Sequence, residues 1–480
     1  MSETKQIFTN GCFDILHKGH IELLKFCKSL GYVTVGLNSD TSVAGLKGAG
    51  RPINSEEDRK FLLQSLKYVD QVIIFSESTP LRLIEDLRPD IVVKGREFAN
   101  LKNPENEIIS KYGGKLVFAS GSGIPSTFGA EVLQSETTGH LPLDFMYRHQ
   151  IKTKKLLEVI ENFKRMKILV IGDLIIDEFI SCSPLGMSQE EPVVVVTPTS
   201  TQKFLGGAGI VAAHCASMGA TTHFLSLAGD DSNLEWALSK LSEFNVFSDL
   251  VTSKDRITTH KQRFKSANHT LFKLSHISQE FLSEEIEDEI RRAFYKNAKD
   301  ADVIIFSDFS YGALPERLVS EFMKFSIENR IFTAADCQTS SQNGDISKYC
   351  GVSLLTATER EARSGFHSEL DGLVTVIRKI TETLKIGNVF LKLGGEGVLI
   401  DSIANQDRNF AVDQVPALSK NVRDVSGAGD SMLAISSLVF GLEESIEIAA
   451  VLGSIAASIQ VERTGNVPIT IKELVDRIQK

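Results

Sequence analysis

Residues 11–20, GCFDILHKGH, place His17 and His20 three positions apart, just after Asp14. On a helix that spacing puts both rings on neighbouring turns of one face, where they can address a single object. Three outcomes fit such a pair: a metal site, an anion site, or a plain helix start with one capping and one solvated histidine. Zinc needs further Cys, His or carboxylate ligands, and none stands at a recognisable spacing nearby. The preceding run KQIFTNG reads as a strand, so the histidines open a helix after a tight turn. Bare backbone N–H groups and the helix dipole collect negative charge at such a place. Phosphate is the expected ligand, with Asn10, Gly11, Phe13 and Asp14 at the turn among the binding residues. Asp14 could orient a histidine or face a metal.

Further along, Lys47 and Arg51 in GLKGAGRP could supply mobile positive charge. Lys94 follows the apolar run of DIVVKG, at the end of a strand where such sheets bind ligands, although solvated lysines are common there. Ser126 and Thr127 precede the helical pattern GAEVLQS, where they either cap the helix or also meet a phosphate. A second cluster stands at 422–434, VRDVSGAGDSMLA. Its Gly427-Ala428-Gly429 turn at a helix start offers N–H groups to a transferring phosphoryl group, and Asp430 is placed to take a proton from a hydroxyl. The competing reading is a glycine turn with a capping Asp. In LGGEGVLI, Gly394 and Gly397 shape either a nucleotide-side loop or an ordinary hairpin. Lys261, Arg263 and Lys265 alternate along one strand and face either a substrate's distal phosphate or solvent.

The elements that must hold these groups follow an α/β pattern. A chain of 480 residues exceeds what one core usually organises, and two domains are expected. From residue 5 to about 135, short apolar runs alternate with amphipathic segments, as in a doubly wound parallel sheet of five strands. GLKGAGRP reads as a loop, and SEEDRKFLLQSLKYV as one helix. Periodicity fails over SETTGHLPLDFMYRHQ, which sets a linker at 136–150 between domains at 1–135 and 151–480. MKILVIGDLIIDEFI opens a second sheet, while VVVVTPTS and RITTHKQRFKSANHTLFKLS suggest a small antiparallel lid. His214 and Trp236 read as core residues, and EEIEDEIRR as a solvated helix face. No apolar run approaches a membrane span and no leader is evident, so a soluble, cytoplasmic protein with no membrane partner is expected. Six scattered cysteines suggest reduced thiols rather than disulfides or a zinc ribbon, and a net charge of −10 disfavours nucleic acid as a partner.

TNGCFDILHKGH, with NSD at 38–40, GLKG at 45–48, RPIN at 51–54, VKG at 93–95 and Ser126-Thr127, resembles the HxGH nucleotidyltransferase superfamily. The middle motifs are most similar to the adenylyltransferase half of the bifunctional enzymes that make ADP-heptose. The resemblance implies transfer of a nucleotidyl group to a sugar 1-phosphate. His17, His20 and Lys47 would then act in catalysis, with Asn38, Arg51, Lys94, Ser126 and Thr127 on the nucleotide. From about 165 onward, IGDLIID, SQEEP, GGAG, SMGA, AGDD, SDFSYGAL, LGGEGV and DVSGAGD resemble the ribokinase-like sugar kinases, and SQEEP and SDFSYGAL the heptose-phosphate kinases in particular.

That second resemblance implies a ribokinase-like α/β domain with Asp430 as base and Gly427, Ala428 and Gly429 as anion hole. Glu361, Gly394 and Gly397 would lie by the nucleotide, and Asp173, Gly206 and Gly207 by the sugar. Both halves would use ATP with Mg²⁺, take small-molecule sugar phosphates, and assemble as a homo-oligomer through the kinase domain. The kinase half stands second here, whereas the bifunctional enzymes place it first. Ile210 stands where the family has a sugar-contacting Asn, Asp336-Cys337-Gln338 replaces Asp-Pro-Lys, and Thr358 replaces the Asn of an NxxE element. Two other readings stay open: a cytidylyltransferase for an alditol phosphate, and a kinase-like half that only binds or dimerises.

Overall fold

Five apolar runs in the first 118 residues become parallel strands: β1 (Gln6–Gly11), β2 (Tyr32–Asn38), β3 (Gln71–Phe75), β4 (Ile91–Lys94) and β5 (Lys115–Phe118). Their spatial order is β3-β2-β1-β4-β5, so the chain reverses direction of travel across the sheet between β1 and β4. That reversal opens a crevice at the carboxyl ends of the strands, the usual ligand position in such sheets. The first crossover helix, Lys18–Leu30, seats Leu24 and Cys27 against Ile7, Val33 and Val35. A computed structural model of the chain describes residues 5–16, 18–47, 52–77, 79–94, 104–118, 141–266, 269–278, 280–338, 345–366, 368, 371–403, 412–419 and 421–479.

Two local expectations change. Asp40–Lys47 is a helix, so the stretch expected as the loop GLKGAGRP begins inside an element. The next helix, Glu56–Gln64, is shorter than SEEDRKFLLQSLKYV because Ser65 closes it, while Ser55 caps its start by accepting from Asp58 N.

The chain divides into two compact units, Met1–Thr138 and Gly139–Lys480. The second is built on a nine-stranded sheet with β6 (Lys167–Gly172) near one end and β13 (Val303–Asp308) beside it. The lid strands β7 (Leu174–Met187) and β8 (Val194–Gly207) follow β6 directly. In the main sheet come β9 (Thr221–Gly229) and β10 (Phe247–Ser253); in the lid, β11 (Thr259–Ser266) and β12 (His269–His276). The main sheet continues through β14 (Phe332–Cys337), β15 (Leu354–Thr358), β16 (Asn388–Lys392), β17 (Val398–Ser402) and β18 (Val412–Val415). Its order is β10-β9-β6-β13-β14-β15-β16-β17-β18, parallel up to β16 and antiparallel for the last two strands. The near-continuous burial of β6, β13 and β14 is what a parallel strand covered on both faces requires.

MKILVIGDLIIDEFI therefore serves two sheets. Its first half is β6, and after Asp173 the chain leaves as β7 for a lid of order β12-β11-β7-β8. The lid is mixed rather than wholly antiparallel, because β11 runs parallel to β7. The expected linker also shrinks. Within 136–150, Leu143–Arg148 forms a helix that buries Phe145 and Met146 in the core of the second unit. Arg148 and His149 pair with Asp413 on β18. Polar and proline neighbours hid that apolar pair from a periodicity reading. EEIEDEIRR is likewise only partly solvated: Glu287 is buried and paired with Arg317 and Arg291. Helices Ala428–Gly441 and Ile446–Val461 are apolar on nearly all sides and fill the middle of that core.

Candidate active sites

In the first unit, the turn after β1 brings Asn10, Gly11, Phe13 and Asp14 to the switch point. Phe13 adopts a left-handed backbone (φ 44°) and tucks its ring 4.9 Å from that of His20, in the first turn of Lys18–Leu30. A side chain on Gly11 would meet the Phe13 ring at 3.1 Å, so the glycine keeps this packing open. His17, Arg51, Ser126 and Thr127 lie outside the described residues, as does the side chain of Lys47, the last residue of its helix. Asp14 holds the following loop: its Oδ1 accepts from Ile53 N at 2.7 Å and Asn54 N at 3.3 Å. Asn38 is similarly engaged, donating from Nδ2 to Ser42 Oγ at 3.0 Å. Lys94 reaches the end of β4 as expected, where its ammonium pairs with Glu105 Oε1 at 2.6 Å.

Arg59 holds this region together, and no sequence motif marked it. It is fully buried, donating to Cys12 O at 2.6 Å, Asn38 O at 2.8 Å, Asn54 O at 3.0 Å and Asp40 Oδ1 at 2.6 Å. One guanidinium thus ties the carboxyl ends of β1 and β2 to the 52–54 loop, using the planar fork that makes Arg suited to several acceptors at once. In sequence it sits within SEEDRKFLL and looks like one more solvated charge.

The second unit contains a cavity of about 1480 Å³ between its main sheet and its lid. Gly427 opens it with a left-handed backbone (φ 77°), and a methyl there would lie 2.4 Å from Asn466 Oδ1. Glycine is required on both counts. The helix Ala428–Gly441 begins at that turn, and its first residues, Ala428, Gly429 and Asp430, line the cavity. Asp430 lines the same wall, buried, with Oδ1 lacking a hydrogen-bond partner. Burial, with Asp336 and Asp177 nearby, pushes its carboxyl up to about 7, while Lys392 and Lys261 pull the other way. A carboxylate poised there can accept a proton near neutral pH.

Gly394 and Gly397 line the cavity and form the turn of the β16–β17 hairpin, the hairpin reading of the two expected for them. Glu361 lies on the lining at the start of helix Glu359–Phe366. It accepts from Thr358 N at 2.7 Å and Thr358 Oγ1 accepts from Glu361 N at 3.3 Å, a reciprocal cap that accounts for the threonine.

Asp173 is placed differently from its expected sugar-side role. Its carboxylate faces the 309–313 loop and accepts from Phe309 N, Tyr311 N and Ala313 N at 2.8, 3.2 and 3.1 Å. Burial and nearby Asp308 push it up to about 6 against those three donors. Asp177, four residues on along β7, is the acid that reaches the cavity. Its Oδ2 accepts from Asn466 Nδ2 at 3.1 Å, and Arg263 lies 3.4 Å from its Oδ1. Gly207 lines the cavity with φ 54°, and a methyl on Gly206 would come within 2.4 Å of Asp177 Oδ2. The double glycine lets β8 lie close to that acid.

Ile210 is fully buried in the core and contributes nothing to the lining; the amide beside Asp177 comes from Asn466. Lys261 and Arg263 face the cavity with Lys273, and Lys261 lies over the Tyr311 ring at 4.7 Å. Lys265 lies 4.0 Å from Asp424. His214 is a core histidine as expected, accepting from Ile469 N at 3.1 Å and held down to about 3 by burial. Among the described residues no group of three or more His, Cys, Asp or Glu side chains is arranged to hold a metal ion. No described helix is long and apolar enough to cross a membrane.

Residues 165–471 match the family model described as pfkB family carbohydrate kinase, and residues 8–117 that described as cytidylyltransferase-like. Among curated proteins, the "Bifunctional protein HldE" of Pelobacter propionicus is 29% identical over 332 residues, 68% of this chain and 66% of that protein. The protein of the same name from Helicobacter pylori strain J99 is 57% identical over 100 residues, 21% of this chain and 22% of that protein. The chain therefore aligns with less than two thirds of either relative. Among solved structures, phosphofructokinase-2 of Escherichia coli in complex with substrates and products superposes with a TM-score of 0.55 at 16% identity. That match covers 65% of this chain and 98% of the other, and it bears out the expected ribokinase-like α/β fold.

Proposed function

This chain belongs to the pfkB family of carbohydrate kinases, and we propose that it is a bifunctional enzyme of nucleotide-sugar synthesis. The C-terminal unit would phosphorylate D-glycero-D-manno-heptose 7-phosphate at the anomeric hydroxyl. The N-terminal unit would transfer AMP from ATP to the corresponding 1-phosphate, giving an ADP-heptose-type product. The observation that carries the kinase reading is Asp430, buried at the amino end of Ala428–Gly441, unpartnered at Oδ1 and titrating at about 7. The anomeric hydroxyl loses its proton to that oxygen as its own oxygen bonds to the γ-phosphorus. The bond from that phosphorus to the bridging oxygen breaks, ADP leaves, and first-turn N–H groups stabilise the equatorial charge. Lys261, Arg263 and Lys273 on the lid suit a substrate carrying a second phosphate.

In the N-terminal unit no covalent nucleophile is needed. The sugar phosphate attacks the α-phosphorus, pyrophosphate leaves, and positioning with charge stabilisation does the rest. His17, His20, Lys47 and Arg51 are assigned to the triphosphate. Glu361, on the cavity lining, is an acid suited to a divalent ion carried by the kinase's nucleotide, which when bound would offset charge on its phosphates. Mg²⁺ is the proposed ion, the cytoplasm the proposed location, and a homo-oligomer through the second unit the proposed assembly. Exposed Leu185, Met187, Val193 and Val194 near the β7–β8 turn support that assembly.

Incubation of the full chain with ATP and the heptose 7-phosphate is expected to give the 1,7-bisphosphate, and Asp430→Asn to give none. Absence of phosphorylation across a panel of sugar phosphates overturns the kinase assignment. Pyrophosphate release with heptose 1-phosphate is expected to be fastest from ATP; a preference for CTP overturns the adenylyl assignment. A second reading, a unit that binds without turnover, draws on Ile210, whose apolar side chain lies in the core where a sugar-contacting amide was expected.

A further inference from the structure

Lys392, the last residue of β16, belongs to none of the motifs that mark the kinase-unit cavity, yet it lines that cavity. It pairs with Asp336 Oδ2 at 2.6 Å and is largely buried. It also packs on the glycine turn: a methyl added to Gly429 would stand 3.2 Å from Lys392 Nζ and 3.7 Å from Asp336 Oδ2. The ammonium thus lies at the amino end of the 14-residue helix Ala428–Gly441, where the dipole and the bare N–H groups are already positive. A cation is unfavourable at that end unless an anion shares the space. The buried Asp430 beside it keeps an oxygen, Oδ1, without a hydrogen-bond partner. The other cations used above, Lys261, Arg263 and Lys273, arrive from the lid. Among the described residues lining the cavity, Lys392 is the cation held on a strand of the main sheet, at the point where a phosphoryl group would meet the helix.

We propose that Lys392 is a catalytic residue of phosphoryl transfer, its ammonium contacting the γ-phosphoryl oxygens of the nucleoside triphosphate, with Asp336 as the positioning residue that aims it. The proposal rests on the kinase reading above. While the sugar oxygen bonds to the γ-phosphorus, the bond to the β,γ-bridging oxygen breaks and the hydroxyl proton passes to Asp430. Lys392 keeps its own proton and offsets charge on the equatorial oxygens.

The test uses the full chain, with Lys392→Met, Lys392→Arg and the double variant Lys392→Met/Asp336→Asn, which removes both members of the pair. Calorimetric binding of the β,γ-imido analogue of ATP is compared with binding of ADP. Lys392→Met is expected to weaken the triphosphate analogue about tenfold or more while ADP affinity stays within about twofold. Turnover is expected to fall about a hundredfold with KM for the sugar phosphate changed less than about threefold, Lys392→Arg recovering part of it. The double variant is expected to remain as impaired as Lys392→Met. Parent turnover and parent triphosphate preference in the double variant overturn the proposal, because Lys392 would then be only a counter-ion to Asp336. If the unaltered chain phosphorylates no sugar phosphate, the kinase reading fails, and the comparison of triphosphate analogue with ADP still decides the role of Lys392.

Discussion

The two proposed phosphate sites of this chain approach the same electrostatic problem in opposite ways. The first unit builds its site at a sheet switch point with a fully buried arginine underneath. Arg59 spends its fork on three backbone carbonyls and Asp40, leaving other side chains to face a ligand. The second unit presents backbone N–H groups and surrounds them with buried acids, Asp177, Asp336, Glu361 and Asp430. Cationic side chains suit a reaction in which only phosphates meet, whereas an acid at about 7 suits one in which a hydroxyl must lose its proton. Under the proposed reactions, only the second unit is asked to take a proton from a hydroxyl.

That contrast can be broken most severely at Asp430. Asp430→Asn is expected to lower kinase turnover by about 10³-fold and leave nucleotidyl transfer unchanged, measured on the same preparation with separate assays. His20→Ala gives the reciprocal result, a loss of about 10²-fold in pyrophosphate release with kinase turnover intact. Equal loss of both activities in either variant would mean that the sites are not independent. The pH profiles should differ next. Asp430 must be ionised to act, so kinase kcat/KM falls about tenfold per unit of pH below a midpoint near 7, and nucleotidyl transfer lacks that limb.

Stability supplies two smaller contrasts. Arg59→Met strands buried carbonyls and should destabilise the first unit by about 3 kcal/mol, lowering its thermal transition and not the second unit's. Asp430→Asn should act in the opposite sense. Because the folded carboxyl titrates at about 7 rather than 3.8, parent stability is lost as pH rises between those values. The variant should therefore melt higher than the parent at pH 8, with the gap closing toward pH 4. A gap that is unchanged with pH would contradict the raised acid.

What could be read in advance was local. The strand-to-helix turn at GCFDILHKGH, each single strand of the first sheet and the DVSGAGD helix start lie within about a dozen residues, the span over which spacing alone fixes a face. The acids of IGDLIID were harder, because whether Asp173 or Asp177 reaches the cavity depends on the chain leaving β6 for the lid between them. Once β7 is known to begin at Leu174, period two sets Ile175 and Asp177 on one face, opposite Thr259 and Lys261 of β11. That alternation was available as a signal. Lys392 ends β16 and Asp336 stands one residue from the end of β14, with β15 between them, a neighbourhood that only the sheet order creates. Arg59 was hidden by its type: a charge in an amphipathic helix reads as solvated unless its four acceptors, on three separate segments, are known.

The central claim, two chemically distinct sites serving one product, is tested most directly by product analysis of the full chain. The protein would be supplied with heptose 7-phosphate, ATP and a phosphatase that removes the 7-phosphate from the bisphosphate, and nucleotide sugars identified by mass spectrometry. An ADP-heptose that disappears in Asp430→Asn and returns when heptose 1-phosphate is added is the predicted result. No nucleotide sugar from either starting compound, or one formed only with CTP, would contradict it.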